Sequence, residues 1–174
     1  MSMRCVAIWT CLLAASVLFG CSRTSQQEVE LKRFPVDSLD GIITQSGAEL
    51  DKDTSSDGNG SLRIIAAGPT VVRLFEVSDV GVENARLTYR AKLRSNKLEG
   101  QAYLEMWCRF PGKGEFFSRG LQNPVTGSMN WITAETPFFL KKGEKPDMIK
   151  LNLVIDGKGT VWIDDVRLFK GSLQ

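Results

Sequence analysis

The sequence predicts an all-β protein, an antiparallel β-sandwich or jelly roll, following a cleaved N-terminal signal segment. Three observations predict it. From Phe34 onward the chain consists of short runs in which apolar and polar residues alternate, the period of a half-buried strand. Gly, Pro, Asn and Asp separate those runs, as turns require. No window of ordinary helix length repeats its apolar residues at the helical period. The chain has 174 residues, of which 43% are hydrophobic and 24% charged. That suits one globular domain and excludes a collagen, a disordered tail or a polytopic membrane protein.

The N-terminal segment comes first. Arg4 is the one charge before an uncharged apolar stretch, Val6 to Phe19. A spanning helix needs about 20 apolar residues, so this shorter stretch reads as the hydrophobic region of an export signal. It ends Leu18-Phe19-Gly20-Cys21-Ser22, which resembles a bacterial lipobox. The resemblance implies cleavage after residue 20 and a diacylglycerol thioether plus an N-terminal acyl chain on Cys21. At ~0.8 kcal/mol per buried CH₂, several acyl chains make a stable membrane anchor. It also implies a lipid-anchored protein of the bacterial cell envelope, with Ser22 favouring the outer membrane. Cys5 and Cys11 fall in the removed segment, leaving Cys108 with no cysteine partner in the folded domain. Residues 21–33 are polar and lack an apolar period, so they read as an acylated flexible tether. The sandwich then occupies 34–174.

The strands follow in order. Leu62 to Ala66, Val71 to Val77, Arg86 to Leu93, Ala102 to Phe110, Trp131 to Phe139, Met148 to Ile155 and Thr160 to Phe169 each read as one. Ala67-Gly68-Pro69, Pro111-Gly112-Lys113-Gly114, Asn123-Pro124, Gly143 and Asp156-Gly157-Lys158-Gly159 punctuate them. Parity assigns faces. Leu87, Tyr89, Ala91 and Leu93 share a core face, with Thr88, Arg90, Lys92 and Arg94 on the wet side. Leu104, Met106, Cys108 and Phe110 form another apolar side, which makes Cys108 a buried, inert thiol.

Two of these segments resemble the family 4/9/22-like carbohydrate-binding modules of the galactose-binding-like jelly roll. Asp57-Gly58-Asn59-Gly60-Ser61-Leu62-Arg63-Ile64 is similar to their second strand, and Gly159 to Leu168, with Trp162-Ile163-Asp164-Asp165, to their last. Leu87 to Lys92 and Trp131 match intervening strands in position and kind. The family's first-strand Gly-x-Phe-Glu has no counterpart here. The resemblance implies the jelly roll and a carbohydrate ligand. It also implies a structural calcium held by loop carbonyls, Asp57 and Asp164. Trp162 and Asp164 share parity with Val166 and Leu168, so the Asp164 carboxylate is expected to point inward and to need a partner. Calcium, an arginine or backbone amides would each serve. The run from Asp53 has oxygen ligands at EF-hand spacing, yet Ile64 stands where the bidentate Glu belongs.

The residues themselves suggest one binding surface. Tyr103, Glu105, Trp107 and Arg109 occupy alternate positions, so they project from one face of a strand. Two aromatics interleaved with a carboxylate and a guanidinium suit a sugar, whose C–H face packs on a ring while its hydroxyls meet charged partners. Arg73, Arg90 and Asn152 are the neighbouring-strand candidates. Phe116 and Phe117, on a glycine-rich hairpin, either line the groove or close the core. The alternative is that these aromatics only cover the sheet.

Several function classes drop out. With 22 basic and 20 acidic residues the net charge is +2, no footprint for nucleic acid. Histidine is absent, which removes the usual general base. Ser61 sits in no Gly-x-Ser-x-Gly elbow. Glu105 with Glu76, or Glu105 with Glu115, could supply the two carboxylates of a glycosidase, though nothing in the spacing demands it. The expectation is a non-catalytic lipoprotein binding a glycan on one sheet face. An envelope protein–protein interaction module and a small glycoside hydrolase are the alternatives.

Overall fold

The computed structural model describes residues 28–173; Cys21 and the segment before it lie outside them. The described residues form eight strands and no helix. They are β1 (Val29–Phe34), β2 (Ala48–Asp51), β3 (Ser61–Ala66), β4 (Thr70–Ser78), β5 (Ala85–Phe110), β6 (Gly114–Arg119), β7 (Val125–Leu140) and β8 (Met148–Gly171). All pairings are antiparallel.

Two long strands organise the sandwich. β5 and β8 pair from Arg86–Gly171 to Arg109–Met148, and both turn a corner midway. At the corner Gly100 has φ +112° and Gly157 φ +153°. A Cβ on Gly100 would run into the Asp156 carbonyl, and one on Gly157 into the Glu99 carbonyl. Only glycine permits that approach of the two backbones. Folding the β5–β8 ribbon double at this point makes two layers. The front layer runs β4–β8–β5–β6, using Met148–Ile155 of β8 and Ala102–Phe110 of β5. The back layer runs β2–β3–β8–β5–β7, with β1 following β3 along the same edge of β8.

The layers pack through their apolar faces. Phe34 of β1 stacks on Phe75 of β4 at 3.9 Å, back layer on front. Leu62, Leu87, Leu93, Leu104, Met106, Leu151 and Ile163 are fully buried between them. Cys108 is buried among them, and burial pushes its thiol up to about 12, so it has almost no thiolate at neutral pH.

In the β5–β8 ribbon two single-residue bulges set which side chains face out. Asn96 pairs with Thr160 but Glu99 with Lys158, so β5 holds one extra residue there, and Lys97 takes φ +50°. Inward positions are therefore odd through Leu93 and even from Ala102 onward. In β8, Arg90 pairs with Arg167 but Lys92 with Asp164, and the extra residue Asp165 takes φ +47°. Val161 and Ile163 point inward before it, Val166 and Leu168 after it. This corrects the parity expected for Trp162 and Asp164: both lie on the outer face of the back layer, because a bulge flips every side chain beyond it. The domain also begins earlier than Phe34. Residues 29–33, expected as tether, are most of β1 and pair with Arg167–Lys170. As an edge strand β1 buries little, with Leu31 and Phe34 its contacts to the core, so its sequence carries no clear alternation.

Candidate functional site

The outer face of the front layer is a ladder of four rungs, read from the pairing. Tyr103, Val154 and Val71 form the first. Arg119, Glu105, Asn152 and Arg73 form the second, and Phe117, Trp107, Lys150 and Glu76 the third. Glu115, Arg109, Met148 and Ser78 form the fourth. Even-numbered Leu104, Met106 and Cys108 fill the interior behind them, fully buried. The alternation read from the sequence holds across this segment.

Glu105 is the hub. The residue is 4% exposed, and an isolated carboxylate so placed would be costly. Three donors meet it. The Trp107 indole N–H donates to Oε1 at 2.7 Å, Asn152 Nδ2 to the same oxygen at 3.3 Å, and Arg119 Nε to Oε2 at 2.8 Å. This network fixes the indole in its plane. The ring then packs against Phe117 with centroids 4.8 Å apart, and the Arg119 guanidinium lies 4.6 Å over the Phe117 ring. Trp107 is half-buried and Phe117 is 50% exposed. The result is a small aromatic platform whose polar backing is already bonded.

The other charges of this face are paired locally. Arg73 meets Glu76 at 2.8 Å, Lys150 meets Glu115 at 2.6 Å, and Arg109 meets Asp147 through both nitrogens at 2.9 and 3.1 Å. Arg109 holds the Asp147 carboxyl below its usual value. The carboxylates offered as a catalytic pair, Glu105 with Glu76 or Glu115, are thus each engaged by a cation.

The structure brings together Tyr103, Glu105, Trp107, Arg109, Arg73 and Asn152 on one surface. Tyr103 is only 7% exposed, wedged in the rung with Val154, so its ring is no stacking platform. Arg90 is elsewhere. It lies on the outer face of the back layer and pairs with Glu28 at 3.0 Å and Glu135 at 2.8 Å. Parity gave its side of the strand but not its layer. Phe117 and Arg119 belong to the site more closely than Arg90 or Tyr103. Their signal was the two-residue spacing on the strand after the Pro111–Gly114 turn. A flank cleft of about 760 Å³ between β6 and β7 is lined by Ser118, Arg119, Gln122, Asn123, Thr133 and Glu135 among others, so Arg119 borders both surfaces.

The residues expected to hold calcium are occupied by donors from the protein. Ser56 N and Ser56 Oγ both donate to Asp164 Oδ2 at 2.7 Å, and Asp165 N donates to Oδ1 at 2.7 Å. Asp57 accepts from its own turn, Asn59 N at 2.9 Å and Asn59 Nδ2 at 3.1 Å. Burial pushes the Asp164 carboxyl up, against the pull of the Ser56 and Asp165 donors. A cation wants oxygen lone pairs around it; Asp164 is surrounded by N–H and O–H. Among the described residues no three acidic, His or Cys side chains group to hold a metal ion. The loop in this form does not fit calcium, and backbone amides supply the partner Asp164 needs.

No family model matches this chain, and no curated protein matches it. Solved structures do. The CBM22-1–CBM22-2 tandem domain of Paenibacillus barcinonensis Xyn10C aligns with a TM-score of 0.60 at 12% identity, over 86% of this chain and 47% of that one. The single CBM22-1 xylan-binding domain of the same protein gives 0.55 at 12% identity, over 86% of this chain and 99% of that one. The CBM22-1–GH10 modules of Clostridium thermocellum Xyn10B, solved with xylohexaose, give 0.57 at 12% identity over 83% of this chain. This chain spans only 29% of that last structure. At such identity the likeness establishes architecture: the described residues have the β-sandwich fold of carbohydrate-binding modules.

Proposed function

We propose that this chain is a non-catalytic, membrane-anchored lipoprotein that binds a glycan on the outer face of its front layer. The observation that carries this is the Trp107–Phe117 platform, its indole N–H tied to buried Glu105 and its flanking charges already paired. An aromatic surface with preorganised polar neighbours suits the C–H face and hydroxyls of a sugar ring. Because the ions of the face satisfy one another, the ligand it favours is an uncharged glycan. A uronate or sulfated polymer would have to break Arg73–Glu76 or Arg109–Asp147 to find a cation. The fold shared with modules solved as xylan-binding supports the reading. Cys21 supplies the anchor, through the lipobox it closes, and places the domain in the bacterial envelope at the outer membrane. The structural likeness bears on the sandwich alone, so anchor and location rest on the sequence.

Affinity electrophoresis of the purified protein through neutral and acidic polysaccharide gels tests this. Retardation by a neutral glycan, abolished in Trp107→Ala and Phe117→Ala, is the expected result. Unchanged retardation in both variants would remove the platform from the account.

A further inference from the structure

The end of the sandwich opposite the corner carries a second surface. There the β5–β6 turn, the end of β7 and the turn after it enclose a cleft of about 270 Å³. Phe110, Phe116, Phe138 and Phe139 line it, with Lys113, Lys141 and Glu144 at the rim. Phe110 anchors the cluster, 5.9 Å from Phe116 and 6.2 Å from Phe138. Phe116 is 51% and Phe139 54% exposed, a large apolar area to leave in water. Lys113, Lys141 and Lys142 are all exposed; among the described residues none is in salt-bridge contact with a carboxylate, and Lys142 acts on Glu83 only through space. The nearby acids are committed. Glu144 accepts from Lys141 N at 2.8 Å, and Glu83 takes Lys145 at 3.0 Å. Glu115 and Asp147 pair with Lys150 and Arg109.

The register ties this tip to the N-terminal tether. Val29 pairs with Lys170, Lys170 with Leu87, and Leu87 with Phe138. The start of β1 and the aromatic cluster therefore share one rung, three strand spacings or roughly 14 Å apart. Glu28 is clamped there by Arg86 at 3.1 Å and Arg90 at 3.0 Å. Seven residues, 22–28, separate Cys21 from β1, a reach of at most about 25 Å. The exposed apolar residues near the corner, Ile65 and Val71, are aliphatic and carry no aromatic exposed beside them.

We propose that this tip docks on the bilayer that holds the anchor. Phe116 and Phe139 sit in the interfacial zone, while Lys113, Lys141 and Lys142 meet anionic phospholipid headgroups. Aromatic side chains ringed by lysine are what that boundary accommodates. Docking stands the sandwich with its front face roughly along the membrane normal. The geometry rests on the anchored reading above; the surface itself does not.

The test uses the chain purified from bacterial membranes and reconstituted in vesicles of phosphatidylethanolamine and phosphatidylglycerol. Mass spectrometry reads the acylation of Cys21. A nitroxide at Phe116→Cys, at Phe139→Cys or, as reference, at Glu99→Cys on the corner reads immersion; buried Cys108 stays unlabelled. Both tip labels are expected to collide preferentially with oxygen, and the Glu99 label with a water-soluble nickel chelate. Tip labels as nickel-accessible as the Glu99 label, on an acylated chain, would overturn docking and leave the anchor standing. An unmodified Cys21 would overturn the anchor. The unacylated chain is then floated with the same vesicles at low salt. There the Lys113→Gln, Lys141→Gln, Lys142→Gln triple variant is expected to lower partitioning on the order of a hundredfold, from about fivefold per lysine. No flotation of the parent chain would overturn docking as well.

Discussion

The two outer faces of the sandwich each carry a tryptophan whose indole N–H is bound to a carboxylate, and they use it oppositely. On the front face Trp107 donates to Glu105 at 2.7 Å and keeps part of its ring exposed beside Phe117. On the back face Trp162 donates to Asp51 at 2.8 Å, is covered by the Arg94 guanidinium at 5.5 Å, and is 8% exposed. The loop after β2 closes over the back face and anchors on Asp164 through Ser56. Among the described residues no segment crosses the front rungs in the same way. The same local bond thus makes structure where a loop covers it and leaves a part-exposed aromatic surface where none does. Sequence motif and exposed surface separate at this point, since Trp162 sits in the segment that resembles the modules' last strand and yet is almost wholly covered.

The largest expected effect follows from that contrast. Trp162→Ala removes a buried ring and strands Asp51 and Arg94, so a loss of about 3–5 kcal/mol should appear as a lowered thermal midpoint, with glycan affinity kept in the folded fraction. Trp107→Ala should reverse the pattern. Its half-buried ring is worth about 1–2 kcal/mol of stability, while glycan binding is abolished. Equal stability losses for the two would erase the distinction between the faces.

Glu105→Ala comes next. It leaves the Trp107 N–H and Asn152 amide without an acceptor and frees Arg119, a cost of about 2–3 kcal/mol. It should also weaken glycan binding by releasing the indole from its plane. Chemical denaturation together with a binding isotherm would check both.

Much of this was legible in the alternation of the chain. Leu87 to Leu93 and Leu104 to Phe110 alternate cleanly, and their core faces are the observed ones. Parity cannot announce a one-residue bulge, because the pattern on either side stays regular. Asp165 therefore turned Trp162 and Asp164 outward without a trace in the hydropathy. Parity is equally silent on which layer a strand joins, which is why Arg90 is on the back face. Phe117 was legible as a groove candidate but not its face, and Arg119 was hidden, because β6 is an edge strand exposed on both sides with no alternation to read. β1 escaped for a similar reason, and its identity lies in pairing with β8, a partner far away in sequence.

A smaller effect distinguishes the two acids at the back-face loop. The Trp162 N–H holds the Asp51 carboxyl below its usual value. The native state then binds fewer protons, so this contribution is complete above the usual carboxylate range and is lost as pH falls through the lowered value. Asp164 is shifted upward by burial. Its contribution runs the other way, fullest in acid and lost as pH rises through the raised value. Asp51→Asn should therefore flatten the acid limb of the stability–pH curve and Asp164→Asn steepen it. The same direction in both would contradict the assignment. The smallest expected effect is that of chelator. With Asp164 already filled by Ser56 and Asp165 donors, removing divalent cations should leave the thermal midpoint where it is. A fall would restore an ion to the loop, since a ligand that binds only the native state must stabilise it.

The most direct measurement follows the indole N–H resonances in a nitrogen–proton correlation spectrum as a neutral oligosaccharide is added. The Trp107 resonance is expected to shift along a saturating curve while that of Trp162 stays fixed. Saturable binding that moves Trp162, or that leaves Trp107 in place, would contradict this expectation.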